Sequence, residues 1–155
     1  MFIIQGDVVN RGKFHEKEEL LRVIFLPISN RLKAELGSSL VDVVEDDLLF
    51  VTFLTNKGEI RLKCSTTRFM ITDFSVEVSS NTIDFILHRI ALFLRRNNIL
   101  VISIRENVST KILQDFLRKN YKDCMLTSYG ESSYLELKVM DYIDRFYRSH
   151  TVDSL

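Results

Sequence analysis

The segment from Phe69 to Ile104 constrains the fold more than any other part of the chain. Phe69–Val78 reads as a long strand, with Met70, Thr72, Phe74, Val76 and Val78 sharing one face. After Ser79-Ser80-Asn81-Thr82, the residues Ile83, Ile86, Leu87, Ile90 and Phe93 recur at three- and four-residue spacing, the stripe of an amphipathic helix that ends in Arg95-Arg96-Asn97-Asn98. Ile99–Ile104 follows as a short, almost wholly apolar run, the pattern of a strand buried on both faces. A strand that passes through a helix to a doubly buried strand pairs with it in parallel, by a right-handed crossover. The chain therefore reads as α/β.

The flanking segments extend that frame. Phe2–Val9 reads as an opening strand, stopped by the turn residues Asn10-Arg11-Gly12. Two helices follow, about residues 14–25 and 27–36, divided by Pro27 in the first turn of the second and ended by Gly37. Leu48–Leu54 and Glu59–Cys64 flank Thr55-Asn56-Lys57-Gly58 as a hairpin, with Ile60, Leu62 and Cys64 facing a core. Beyond Ile104, Ser109 caps a helix whose Ile112, Leu113, Phe116 and Leu117 turn inward. Cys124–Tyr129 and Tyr134–Val139 pair as a last hairpin, and Tyr142, Ile143, Phe146 and Tyr147 form an apolar stripe at helical spacing. The expectation is a single mixed sheet with helices on both faces, one domain over residues 1–148, and a flexible C-terminal tail over 149–155.

Composition narrows the function classes. Lys+Arg 21 against Asp+Glu 21 gives a net charge of zero, so no global field draws the protein to nucleic acid or to an anionic bilayer. With 46% hydrophobic residues in 155, the chain has enough apolar material for a real core. Cys64 and Cys124 stand far apart and lack metal-ligand spacing, so they read as buried reduced thiols. His15, His88 and His150 are too dispersed for a metal site. The N-terminus lacks a basic n-region, and no apolar run is long enough to cross a bilayer, which makes the expected location cytoplasmic.

From about Leu48 to Val139 the element order resembles the fold of the GNAT family of N-acetyltransferases. In that family a long central strand splays from its neighbour, acetyl-coenzyme A lies in the V-shaped opening, and backbone amides at the start of the following helix hold the pyrophosphate. The resemblance implies acetyl-CoA as cofactor and Val76, Val78, Ser79, Ser80, Asn81, Thr82 and Ser109 as the residues nearest it. It also implies a carboxylate base at Glu77 or Asp73, and Tyr121 or Tyr129 as a general acid. The family's glycine-spaced phosphate loop is missing, because no glycine lies between Gly58 and Gly130. The family's catalytic tyrosine position falls on Phe116, which has no proton to give. Ser79–Thr82 are equally the residues of an ordinary helix cap.

Two readings follow from these residues. The first is a non-catalytic binding or regulatory protein on an acetyltransferase-like (GNAT-like) fold, with no cofactor, acting through a protein partner or self-association. Its AT-rich style of composition suits a phage or mobile-element accessory protein. The second is a divergent acetyl-CoA-dependent N-acetyltransferase. Asp84 and His88, one turn apart, read as a helix-surface pair. The basic residues Arg89, Arg95, Arg96, Arg105, Arg118, Lys119 and Lys122 interleave with acids and read as a mixed solvated face.

Overall fold

The computed structural model describes residues 21–37, 40–46, 50–64, 68–126 and 133–154. The expected opening strand and the start of the first helix lie outside the described residues, as do most of the turn of the last hairpin and Tyr129.

A π-helical turn, Leu21–Phe25, runs directly into helix α1, Leu26–Leu36, with Pro27 in its first turn, where a missing N–H costs nothing. Gly37 ends α1 at φ +59, a conformation that glycine adopts freely. Four strands follow: β1 (Leu40–Asp46), β2 (Phe50–Thr55), β3 (Gly58–Cys64) and β4 (Phe69–Phe74). Helix α2 (Ser80–Arg96) crosses over to β5 (Val101–Arg105), and a 3₁₀ turn at Val108–Thr110 leads into helix α3 (Lys111–Asn120). The short strand β6 (Met125–Leu126), strand β7 (Tyr134–Lys138) and helix α4 (Val139–Ser154) complete the described chain.

The structure is α/β with one mixed sheet, in the order β1-β2-β3-β4-β5-β7-β6. Strands β1 to β4 are an antiparallel meander, β4 and β5 are parallel, and β7 is antiparallel to both β5 and β6. Strand β1 is an addition to the sequence reading. Its residues, Leu40-Val41-Asp42-Val43-Val44-Glu45-Asp46, carry three acids that mask the strand pattern, a composition suited to the edge place it takes.

Register places the core side chains on a common face. Val51 and Phe53 oppose Leu62 and Ile60, which oppose Ile71 and Phe74, while Phe69 and Ile71 oppose Ile102 and Ile104. All are buried and join one apolar cluster with Ile83, Ile86, Leu87 and Ile90 of α2 and Leu113 and Leu117 of α3. The expected inward face of β4 is corrected here. A register shift between Arg61 and Leu62 pairs Arg61 with Asp73 but Leu62 with Ile71, leaving Thr72 as the extra residue. Such a bulge reverses the alternation, so that Phe69, Ile71 and Phe74, not Met70, Thr72 and Phe74, point into the core.

Other local readings change as well. Ser109 is not the cap of α3. The Asn107 N–H donates to Thr110 Oγ1 at 3.4 Å, and Ser109 lies inside the 3₁₀ turn. Helix α4 runs through Ser154.

Of the two described glycines, Gly37 and Gly58, it is Gly58 that the packing demands. Its φ is +153, and a Cβ there would lie 2.6 Å from the Ser75 carbonyl oxygen. Gly58→Ala is expected to cost about 2 kcal/mol in denaturant unfolding, from backbone strain together with the displaced Ser75. A loss no larger than that of an ordinary surface substitution would show that the turn relaxes freely.

Candidate functional site

The site is built where β4 ends. The Ser75 N–H donates to the Glu59 carbonyl at 3.0 Å, and the Glu59 N–H donates to Ser75 Oγ at 3.0 Å, which ties the β4–α2 junction to the β2–β3 turn. Beside this tie lies a cleft of about 390 Å³ lined by Leu36, Thr55, Lys57, Ser75, Val76, Glu77 and Ile112. Leu36, Val76 and Ile112 supply an apolar lining, and the exposed Lys57 and Glu77 put one charge of each sign on it.

Strands β4 and β5 part company at this end of the sheet. Their parallel pairing covers Phe69–Ile102, Met70–Ser103 and Ile71–Ile104 and then stops. The Thr72 carbonyl, next along β4, accepts a hydrogen bond from Ser109 Oγ at 3.3 Å, so the 3₁₀ turn before α3 spans the opening.

The start of α2 is closed by a side chain from α1. Glu35 accepts hydrogen bonds from the Ser79 N–H at 2.7 Å, from Ser79 Oγ at 3.0 Å and from Thr82 Oγ1 at 2.5 Å. Ser79 is also the N-cap, accepting from the Thr82 N–H at 3.2 Å. Arg31, one turn before Glu35, donates to Thr82 Oγ1 at 3.0 Å and lies over the Phe85 ring. Partial burial acts to raise the Glu35 pKa, but the hydrogen bonds from Thr82 and Ser79 and the charge of Arg31 outweigh it and hold the carboxyl below its usual 4.5. A carboxyl depressed on folding stabilises the native state above its unfolded pKa, and that contribution is lost as pH falls through the folded one. The stability of Glu35→Gln is therefore expected to fall less steeply than the parent's as pH drops below about 4.5. Parallel pH profiles for the two proteins would contradict the contact.

The residues marked in the sequence are spread over several places. Val76 and Glu77 line the cleft. Ser79 and Thr82 bind Glu35 instead of facing an open site, while Ser80 and Asn81 are exposed in the first turn of α2, and Val78 is half-buried against the core. Ser109 bridges to β4. Asp73 lies 3.9 Å from Arg61, paired across the strands on the face opposite Phe74.

Tyr121 belongs to a different cluster. Its hydroxyl donates to Asp84 Oδ1 at 2.7 Å, and the Tyr142 hydroxyl donates to the same oxygen at 2.9 Å. Burial, and next the hydrogen bond to Asp84, push the Tyr121 phenol above its ordinary range, and burial with the Asp84 charge does the same to Tyr142. A phenol held on a carboxylate keeps its proton and is a poor acid for a leaving thiolate. His88, one turn on from Asp84, stacks on Phe146, with ring centroids 4.0 Å apart, and its Nε2 lies 3.3 Å from the Tyr147 hydroxyl.

Acetyl-coenzyme A fits these residues poorly. The Ser79 amide that would meet a phosphate is already bound to a carboxylate, and a phosphate beside Glu35 would meet like charge. Glu35, Arg31 and Lys57 are the residues that sequence reasoning missed. The Arg31–Glu35 spacing of four does place both on one helix face, but nothing local shows that the face meets the start of α2. Both cysteines are buried, and burial raises the Cys124 thiol. Among the described residues no group of His, Cys, Asp and Glu is placed to hold a metal, and no described helix is long and apolar enough to cross a membrane. Comparison with protein-family models, curated proteins and solved structures finds no match.

Proposed function

We propose that this chain is a non-catalytic binding or regulatory protein on an acetyltransferase-like scaffold, acting through protein contact. The scaffold half of the reading draws support from the antiparallel meander, the crossover through α2 between the parallel strands β4 and β5, and the end of their pairing after Ile71. The non-catalytic half rests above all on one observation, the Glu35 carboxylate seated on the Ser79 amide and hydroxyl where a cofactor phosphate would bind. Phe116 and the Asp84-bound Tyr121 add to it, since neither offers a proton to the cleft.

One feature favours the alternative, a divergent acetyl-CoA-dependent N-acetyltransferase: the cleft at the end of β4 has Glu77 in its lining, at the place where such enzymes carry a base. The readings separate in an assay of thiol released from acetyl-CoA in the presence of lysine peptides and polyamines. Neither the parent protein nor Phe116→Tyr is expected to exceed the blank. Release by the parent would establish an enzyme, and release by Phe116→Tyr alone would show a competent cleft that lacked only its acid.

A further inference from the structure

A second cavity lies at the other end of the parallel strand pair. Strands β4 and β5 run in the same direction, so Arg68, just before β4, and Val101, the first residue of β5, mark the end opposite Val76 and Glu77. The cavity measures about 330 Å³, within the range of about 300–1,000 Å³ usual for small-molecule sites. Neighbouring strands β4, β5 and β7 build it. Ile102 and Ile104 point into the core, so Ser103 between them faces the other side of the sheet, directly opposite Glu136 of β7. Arg68 precedes the core residue Phe69 and falls on that same side, where it lies over the Tyr134 ring at 6.0 Å from the centroid. Val101, Asn98 and the exposed Leu100 complete the lining.

Two features of this lining point to a ligand. Ser103 is 4% exposed, yet its hydroxyl meets no hydrogen-bond partner among the described residues. A hydroxyl withdrawn from water without a partner costs free energy, which a polar ligand atom at that place would offset. The second feature is the charge pattern. Glu136 and Arg68 line one cavity with opposite charges, but Glu136 makes no ion pair or hydrogen bond among the described residues. The carboxylate and the guanidinium therefore stand beyond ion-pair reach of each other. An anion and a cation held apart around a hydroxyl match the two charges of a zwitterion, and Leu100 and Val101 add apolar surface beside them.

We propose that this cavity binds a free α-amino acid with an apolar side chain. Its ammonium group sits on the Glu136 carboxylate and Ser103 Oγ, its carboxylate accepts from Arg68 and the Asn98 side-chain amide, and its side chain lies on Leu100 and Val101. The site stands apart from the acetyltransferase-like reading, because none of these residues lines the cleft at the end of β4.

The test titrates the full chain with L-leucine and follows backbone amide NMR shifts. Millimolar L-leucine is expected to shift the amides of Val101, Ser103 and Glu136 and to leave those of Ser75, Val76 and Glu77 in place. L-leucinamide, which lacks the carboxylate, and isocaproate, which lacks the ammonium, are each expected to bind at least roughly tenfold more weakly, the scale of one lost charge-assisted hydrogen bond. The near-isosteric Glu136→Gln is expected to weaken L-leucine by a similar factor, and Ser103→Ala by less. Should Ser103→Ala fail to fold, Glu136→Gln and the two analogues carry the test. No shift at millimolar L-leucine, or shifts centred on Ser75, Val76 and Glu77, would overturn the site. An analogue that binds as tightly as L-leucine, or a folded Glu136→Gln with the parent's affinity, would overturn the assignment of a zwitterion.

Discussion

Phe74→Ala is expected to destabilise the protein by about 4 kcal/mol, the usual scale for removing a buried phenylalanine ring and leaving a cavity behind. Phe74 is fully buried, opposite Ile60, at the last position of β4 before the chain turns into the cleft. Its place depends on the bulge at Thr72, which sets Phe74 and Ile71 on one side of the sheet. In thermal unfolding the loss corresponds to a drop of roughly ten degrees for a domain of this size. Leu100→Ala is the control, because Leu100 is 66% exposed and its truncation should stay within about 0.5 kcal/mol. Similar losses in the two variants would mean that the β4 register is wrong.

Asp84→Ala has the next largest expected effect, about 3 kcal/mol. The substitution strips the charged acceptor from two tyrosine hydroxyls, and a hydrogen bond to a charged group is worth about 1.5–3 kcal/mol. Tyr142 is fully buried and Tyr121 nearly so, so water replaces the lost acceptor poorly. Asp84 joins α2 to α4 through Tyr142 and to the end of α3 through Tyr121, which makes it a three-way tie. Asp84→Asn, which keeps one acceptor oxygen, should fall between the parent and Asp84→Ala in chemical denaturation. If Asp84 served only the helix macrodipole, its removal would cost about 0.5 kcal/mol.

Periodicity made the skeleton legible wherever burial and local pattern agree. The α2 stripe, the apolar run that became β5 and the Gly58 hairpin carry their signals within a few residues, and each formed close to the position read. Strand β1 was hidden because an edge strand keeps acids that a central strand would exclude. The inward face of β4 was misread because a one-residue bulge, invisible in the sequence, exchanges the two faces.

The candidate site was less legible because its contacts are long-range. Val76 and Glu77 line the cleft at a junction that the crossover itself locates. Glu35 meets Ser79 only because α1 packs beside α2, and Asp84 meets Tyr121 and Tyr142 only because α3 and α4 converge on α2. A sequence shows that Asp84 and His88 share a helix face. It does not show which of them another helix will reach.

The most direct test of the central claim, a scaffold whose phosphate seat the chain itself fills, is calorimetric titration of the parent protein with acetyl-CoA and with free coenzyme A. No heat of binding up to millimolar cofactor is the predicted result. Micromolar binding, with the Ser79 amide perturbed, would mean that a phosphate displaces Glu35 unaided, and would contradict the account.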